Sequence, residues 1–253
     1  MTARMLEGKK IAVLVETEYI PYEIEAYQTR FAELGATVDL MSRLWGNQSV
    51  RFAADVDSVE VADQINRQET SLATLEVNID FQNVDLNEYA AVIMAANYTS
   101  VRLRYFQPPQ GQQISPEQTR TAPAVQFFAK AMANPQIIKG LLCHGLWLLT
   151  PMPELLKGRR VICHEVVLAD ITNAGAIYVP PPANSEPNDP KNIVVDGDMV
   201  TGRAGHDVNA FIDAIATQIK QNSEYPCGEA SYGIRNLSQA SQQQGERSLL
   251  QHT

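Results

Sequence analysis

Residues 137–149 read IIKGLLCHGLWLL, which places a single cysteine between two apolar runs. The first run is typical of a buried β-strand and the second of an apolar helix. At such a strand-to-helix turn, the N–H groups and dipole of the helix N-terminus favour a thiolate over a thiol. Gly145 supplies the small residue that the turn needs, and His144 is an adjacent candidate base. We therefore predict a nucleophilic Cys143 at this turn, the alternative being a small buried core residue.

The beginning of the chain predicts the same class of fold. Residues 10–15 read KIAVLV, an apolar run of the kind buried on both faces of a parallel sheet. An amphipathic helix follows over residues 23–34, ends before Gly35 and leads to a second strand over residues 37–41. This βαβ unit favours an α/β fold with a doubly wound sheet.

The remaining pattern continues the alternation of strands and helices. Insertions are predicted at residues 43–80 and 106–123, strands at 89–94, 160–163, 176–179 and 192–195, helices at 124–132, 166–174 and 207–220, and a hairpin turn at Asp196-Gly197. We expect one α/β domain over residues 1–222 and a flexible polar tail over residues 223–253.

Composition excludes several classes of protein. The 253 residues carry a net charge of -9, which argues against nucleic-acid binding because that binding depends on clustered Lys and Arg. The three cysteines, an odd number with no CxxC spacing, indicate neither a disulfide framework nor a zinc site. No apolar stretch is long enough for a membrane span and no signal peptide is evident, so we expect a cytoplasmic protein with a small-molecule substrate.

Several motifs in order resemble one known family. They are CHG at residues 143–145, LLKGRR at 155–160, DITNAGA at 170–176 and VVDGDMVTGR at 194–203. With them the chain resembles the DJ-1/ThiJ/PfpI superfamily, of class I glutamine amidotransferase-like fold, and is most similar to the PfpI-like branch with its Cys-His elbow. The resemblance covers residues 9–221 in pieces. It implies a flavodoxin-like three-layer sandwich with a mostly parallel central sheet and a nucleophile elbow.

The resemblance also implies a set of catalytic residues. It identifies Cys143 as the nucleophile and Glu23, twelve residues before Gly35, as a protonated carboxyl that donates a hydrogen bond to the cysteine. A carboxylate beside a thiolate would be a like-charge pair, so one of the two must hold a proton. His144 matches the base of the PfpI-like branch and His164 a histidine near the cysteine in the DJ-1 branch. The family implies no cofactor or metal, and a homodimer or higher homo-oligomer.

Two positions depart from the family pattern. Ala95-Ala96 stands where the family has a Gly-Gly pair whose N–H groups form an oxyanion hole. Ser100 stands where the PfpI-like branch has the acidic member of its triad. A serine cannot stabilise an imidazolium as a carboxylate does, so Glu16 or Glu18 would have to replace it.

Three functions are compatible with these residues. The leading hypothesis is a cysteine-dependent enzyme that acts on a small electrophile, with glyoxalase III-like, deglycase-like or other hydrolase or lyase chemistry. The alternative is a non-enzymatic oxidative-stress sensor or chaperone-like protein in which Cys143 is oxidised. A third possibility is an interaction role for residues 106–123 and the tail.

Overall fold

A central sheet of seven strands organises the computed structural model, which describes residues 4–55, 74–111 and 113–224. Its strands are β1 (Lys10–Leu14), β2 (Thr37–Ser42), β5 (Ile79–Asp80), β6 (Ala91–Met94), β7 (Ile138–Leu142), β10 (Ile193–Asp196) and β11 (Met199–Gly202). Their order is β10-β11-β7-β6-β1-β2-β5, and only the pairing of β10 with β11 is antiparallel. The mostly parallel α/β sheet predicted from the sequence is confirmed.

Two small sheets lie beside the central one. Strand β3 (Val50–Ala53) pairs antiparallel with β4 (Thr74–Val77), as expected for an insertion, whereas β5 joins the edge of the central sheet. The strand predicted at residues 160–163 is shorter: β8 (Arg160–Val161) pairs with β9 (Ile177–Tyr178). Most of the predicted tail, residues 225–253, lies outside the described residues.

Helices flank the sheet. They are α1 (Pro21–Glu33), α2 (Thr99–Arg102), α3 (Pro123–Ala133), α4 (Leu168–Asn173) and α5 (Val208–Glu224). The first and last pack together through the rings of Tyr27 and Phe211, whose centroids are 6.4 Å apart. No helix in the described part of the chain is both long and apolar enough to cross a membrane.

The element after Cys143 differs from the predicted helix. It is a five-residue 3₁₀ helix, Gly145–Leu149, and not an α-helix. Pro151 and Pro153 lie shortly after its end. Because proline has no N–H group, the helix cannot continue through them. So short an element has little dipole, and the thiolate argument from a helix N-terminus therefore loses weight.

Candidate functional site

Cys143 directly follows the buried strand β7 and turns the chain sharply. Its φ is 57°, in the left-handed region that non-glycine residues rarely adopt. Its N–H group donates to the Gly202 carbonyl at 2.9 Å, and its carbonyl accepts from the His164 N–H group at 3.3 Å. These two contacts hold the strained residue in place, and the sharp turn predicted at Cys143 is confirmed.

Residue 145 is a glycine at a position where there is little space for a side chain. A Cβ atom at residue 145 would lie 3.3 Å from both the Met94 carbonyl oxygen and the Leu141 Cβ. The turn therefore packs tightly against the neighbouring strand β6. Cys143 itself is 1% exposed, so its side chain is almost completely covered.

Glu23 lies in the first turn of α1 and is fully buried. Its Oε1 accepts hydrogen bonds from the Tyr27 hydroxyl at 2.7 Å and from the Ala96 N–H group at 2.9 Å, and Oε2 lies 3.1 Å from the same N–H group. The carboxyl is therefore held from both sides by groups outside its own turn.

Tyr27 connects Glu23 to Cys143 electrostatically. Burial raises the pKa of the Tyr27 hydroxyl well above its usual value, and negative charge on Glu23 and on Cys143 raises it further. The ionisable groups of Glu23, Tyr27 and Cys143 thus lie close together in a buried region. Few of them can be negatively charged at the same time. Tyr27 was missed in the sequence, although it lies four residues after Glu23 and thus on the same helix face.

Ala95 and Ala96 do not offer free N–H groups to Cys143. The Ala95 N–H group donates to the Leu14 carbonyl, and that of Ala96 donates to Glu23. At this position the backbone therefore orients the carboxyl of Glu23.

His144 is stacked among aromatic rings. Its ring lies 5.2 Å from Trp147, 5.3 Å from Tyr98 and 4.8 Å from the ring of His164, measured between centroids. Burial, together with the charge of His164, lowers its pKa to about 4. His144 is therefore neutral at pH 7, and neither of its ring nitrogens has a hydrogen-bond partner among the described residues.

His164 lies between this aromatic group and the turn. Its Nδ1 accepts from the Val166 N–H group at 3.3 Å and so caps the short 3₁₀ helix Glu165–Val167. Its Nε2 is 3.8 Å from Glu165. The structure thus brings all four predicted site residues, Cys143, Glu23, His144 and His164, to one region around the turn.

The structure places neither Ser100, at the position of the triad acid, nor its two possible replacements, Glu16 and Glu18, against the His144 ring. Ser100 donates through its Oγ to the His144 carbonyl at 2.9 Å, and so contacts the backbone and not the ring. Glu18 makes two hydrogen bonds with Arg102, at 2.9 and 2.7 Å, and Glu16 accepts from the Thr17 N–H group. Within the described ranges no carboxylate is hydrogen-bonded to His144, and no group of three or more His, Cys, Asp or Glu is placed to hold a metal ion.

Comparison with known proteins supports one family. A family model described as the DJ-1/PfpI family matches residues 110–218, which include Cys143, His144 and His164. No curated protein sequence matches the chain.

Solved structures show the same fold at low identity. A ThiJ/PfpI domain protein from Brachyspira murdochii is 15% identical, with 85% of this chain and 98% of that chain covered and a TM-score of 0.59. Schizosaccharomyces pombe DJ-1 is 14% identical, with 90% and 97% covered and a TM-score of 0.54. A two-domain protein from Anabaena variabilis, with DJ-1/ThiJ/PfpI-like and ferritin-like domains, is 19% identical, with 83% and 48% covered and a TM-score of 0.60. This chain therefore spans about half the length of that two-domain protein.

Proposed function

Because a DJ-1/PfpI family model matches residues 110–218 of this chain, we propose that it is a cysteine-dependent enzyme acting on a small carbonyl compound, with glyoxalase III-like or deglycase-like chemistry. One observation carries the proposal. Cys143 occupies a left-handed turn after β7, and negative charge on Cys143 or on the fully buried Glu23 raises the pKa of the same hydroxyl group, that of Tyr27. Strained backbone and buried ionisable groups are typical of reactive sites.

The burial of Cys143 supports a small substrate. With 1% of its surface exposed, the residue leaves no room for a folded protein or an extended peptide at its sulfur. The lack of a carboxylate partner for His144 among the described residues also argues against a Cys-His-acid peptidase triad. A dicarbonyl such as methylglyoxal fits both observations.

The reaction needs no external oxidant or reductant. The Cys143 sulfur adds to the aldehyde carbon, the thiol proton passes to the carbonyl oxygen, and a hemithioacetal forms. The C1 hydrogen then moves to C2 and the proton of the C1 hydroxyl moves to the C2 oxygen, so that C1 is oxidised to a thioester and the ketone at C2 is reduced to an alcohol. Water hydrolyses the thioester, releases lactate and restores the thiol.

Glu23 supplies and accepts protons in this scheme. Its hydrogen bonds to Tyr27 and Ala96 fix the carboxyl group, so that it needs no reorganisation during proton transfer. The unpartnered nitrogens of the neutral His144 provide one donor and one acceptor, which suit a substrate oxygen or the hydrolytic water.

The test is conversion of methylglyoxal to lactate. We expect Cys143→Ala to abolish lactate formation and Glu23→Gln to lower kcat by roughly 10²- to 10⁴-fold, the usual contribution of general acid-base catalysis. Cys163→Ala is the matched control, because Cys163 is also a buried free thiol and burial raises its pKa to about 12. It should retain the wild-type rate.

Two results would overturn the proposal. One is wild-type protein that is folded by circular dichroism yet inert toward methylglyoxal and other dicarbonyls. The other is equal loss of activity in the Cys143→Ala and Cys163→Ala variants, because this would indicate a general structural effect.

A further inference from the structure

A cleft of about 830 Å³ opens at the carboxyl edge of the sheet, beside the cysteine site. Its walls come from the segments that follow β1, β2, β6 and β7. Its lining includes Glu16, Trp45, Arg104, Tyr105, Thr119 and Thr150. Cys143, Glu23, His144 and His164 are not among the described residues that line it, so the cleft is separate from the cysteine site.

The position of this cleft in the sheet is typical of a ligand site. Strand β1 pairs with β2 on one side and with β6 on the other, so the strand order reverses between β1 and β6. In open α/β sheets, ligands bind in the crevice at the carboxyl ends of the strands where the order reverses. Glu16 follows β1, and Arg104 follows β6 and α2.

Arg104 provides a cation that has no ion-pair partner in the described part of the chain. Its side chain is half-buried and its Nη1 donates to the Thr150 hydroxyl at 3.0 Å. Burial lowers the pKa of its guanidinium, and the charge of Asp170 opposes this shift without a direct contact. Nearby Arg102 is different, because Glu18 occupies its guanidinium with two hydrogen bonds. Arg104 therefore has N–H donors left for a planar anion.

Two exposed aromatic rings line the same cleft. Trp45 is 38% exposed and Tyr105 is 57% exposed, and their rings pack edge to face with centroids 5.5 Å apart. Large aromatic side chains seldom stay exposed together unless a ligand or partner covers them. The two rings are nearly perpendicular and offer two apolar faces in the cleft that Arg104 also lines.

Polar groups make up much of the remaining lining. Thr119 and Thr150 carry hydroxyl groups, and burial raises the pKa of the Glu16 carboxyl. A carboxyl in this position suits a hydroxyl or amino group of a ligand and disfavours a second anionic group.

We propose that this cleft binds a small aromatic anion, with a carboxylate or phosphate group on Arg104 and its flat ring against Trp45 and Tyr105. Carboxylate and phosphate groups are both anionic, and both match the planar N–H donors of an arginine side chain. Binding in this cleft is independent of the chemistry of Cys143.

Isothermal titration with benzoate and with phenyl phosphate tests the proposal and separates the two anion types, and benzyl alcohol serves as the uncharged comparison. We expect saturable 1:1 binding of at least one anion and at least tenfold weaker binding of benzyl alcohol. Location is read from the fluorescence of Trp45 in the Trp147→Phe background, which leaves Trp45 as the single tryptophan of the chain. The bound anion should change this fluorescence with the same affinity.

Variants identify the residues that bind the anion. Arg104→Met should weaken binding at least tenfold, and Arg104→Lys should weaken it less. Arg51→Met is the matched control, because Arg51 is exposed on β3 and paired with Glu76, and affinity should stay within twofold. Tyr105→Ala, at an exposed position where folding is little affected, should weaken binding several-fold. Cys143→Ala should bind as wild type.

Three results would overturn the proposal. They are no saturable binding of either anion, equal effects of Arg104→Met and Arg51→Met, and binding that is unchanged in both Arg104→Met and Tyr105→Ala. Because binding is measured without turnover, these results are independent of the lactate assay.

Discussion

At the scale of single residues, His144 shows how the surroundings change a side chain. An exposed histidine next to a cysteine would be a ready base, but here the ring is stacked on Trp147, 6% of the residue is exposed, and the pKa falls to about 4. His144 therefore stays neutral over the range in which histidines usually titrate, and it can act as a base only if the resulting cation is stabilised by the substrate.

The depressed pKa of His144 predicts a dependence of stability on pH. Unfolding raises this pKa from about 4 to about 6.5, so the unfolded chain binds a proton that the folded chain does not as the pH falls from 6.5 toward 4. The free energy of unfolding should then fall by about 1 kcal/mol per pH unit on account of His144. His144→Phe removes this contribution, as urea unfolding at pH 5, 6, 7 and 8 would show.

The difference in stability between wild type and His144→Phe should be constant from pH 7 to 8 and change below pH 6.5. Parallel stability curves over the whole range would contradict a buried neutral imidazole.

At the scale of elements, a buried ion cluster ties the β10–β11 hairpin to β7. The fully buried Lys139 donates to the Asp198 carboxylate and to the Asn134 carbonyl at 2.7 Å. Arg159 also donates to Asp198, at 2.9 Å, and is 2.8 Å from Asp196. Burial lowers the pKa of the Lys139 ammonium, and Asp198 opposes this shift. The cluster lies at the start of β7, at the opposite end of the strand from Cys143. We therefore infer that it stabilises the fold and takes no part in the cysteine site.

Removing the acid from this cluster should destabilise the protein strongly. Asp198→Asn leaves the Lys139 ammonium buried without a counter-charge and should lower the free energy of unfolding by roughly 3 kcal/mol. Adding Lys139→Met to this variant should recover most of the loss. Asp213→Asn is the control, since it breaks the exposed Arg30–Asp213 pair, and chemical denaturation should show a change below about 1 kcal/mol. A similar loss in both single variants would contradict the buried cluster.

At the scale of the whole molecule, the first and last helices close the fold over the same strands. Phe211 of α5 contacts Tyr27 of α1 and packs over two glycines of the sheet. A Cβ atom at Gly140 would lie 2.9 Å from the Phe211 ring, and one at Gly202 would lie 3.4 Å from it. The glycines of β7 and β11 thus make room for the aromatic ring of Phe211 from α5.

This packing predicts that the described residues unfold in one transition. Phe211→Ala should lower the free energy of unfolding by about 3–5 kcal/mol, and tryptophan fluorescence and far-ultraviolet circular dichroism should report the same midpoint. Ile114→Ala is the control: Ile114 is exposed, and the change should stay within about 0.5 kcal/mol. Separate midpoints for the two probes would contradict a single cooperative unit.

Periodicity and local spacing predicted much of this molecule. Elements that depend on a short run of neighbouring residues were predicted from the sequence. They are the strands around residues 10–14, 37–42, 91–94 and 138–142, the hairpin at Asp196-Gly197 and the sharp turn at Cys143. The α-helix predicted after Cys143 was wrong, because the structure has a 3₁₀ helix there that ends before Pro151. The roles of Cys143, Glu23, His144 and His164, like the homodimer, stay predictions.

The sequence by itself determined the α/β class, the position of Cys143 at a sharp turn after a strand and the resemblance to the DJ-1/PfpI family. The tertiary structure alone decided the partners of the site groups: Glu23 meets the N–H group of Ala96, 73 residues away, and His144 is enclosed by rings from three segments. The cleft at Arg104 likewise appears only once the ends of β1, β2, β6 and β7 lie side by side. Hydrogen bonds, burial and pKa shifts depend on distances in space, which the strand order sets and no local pattern records.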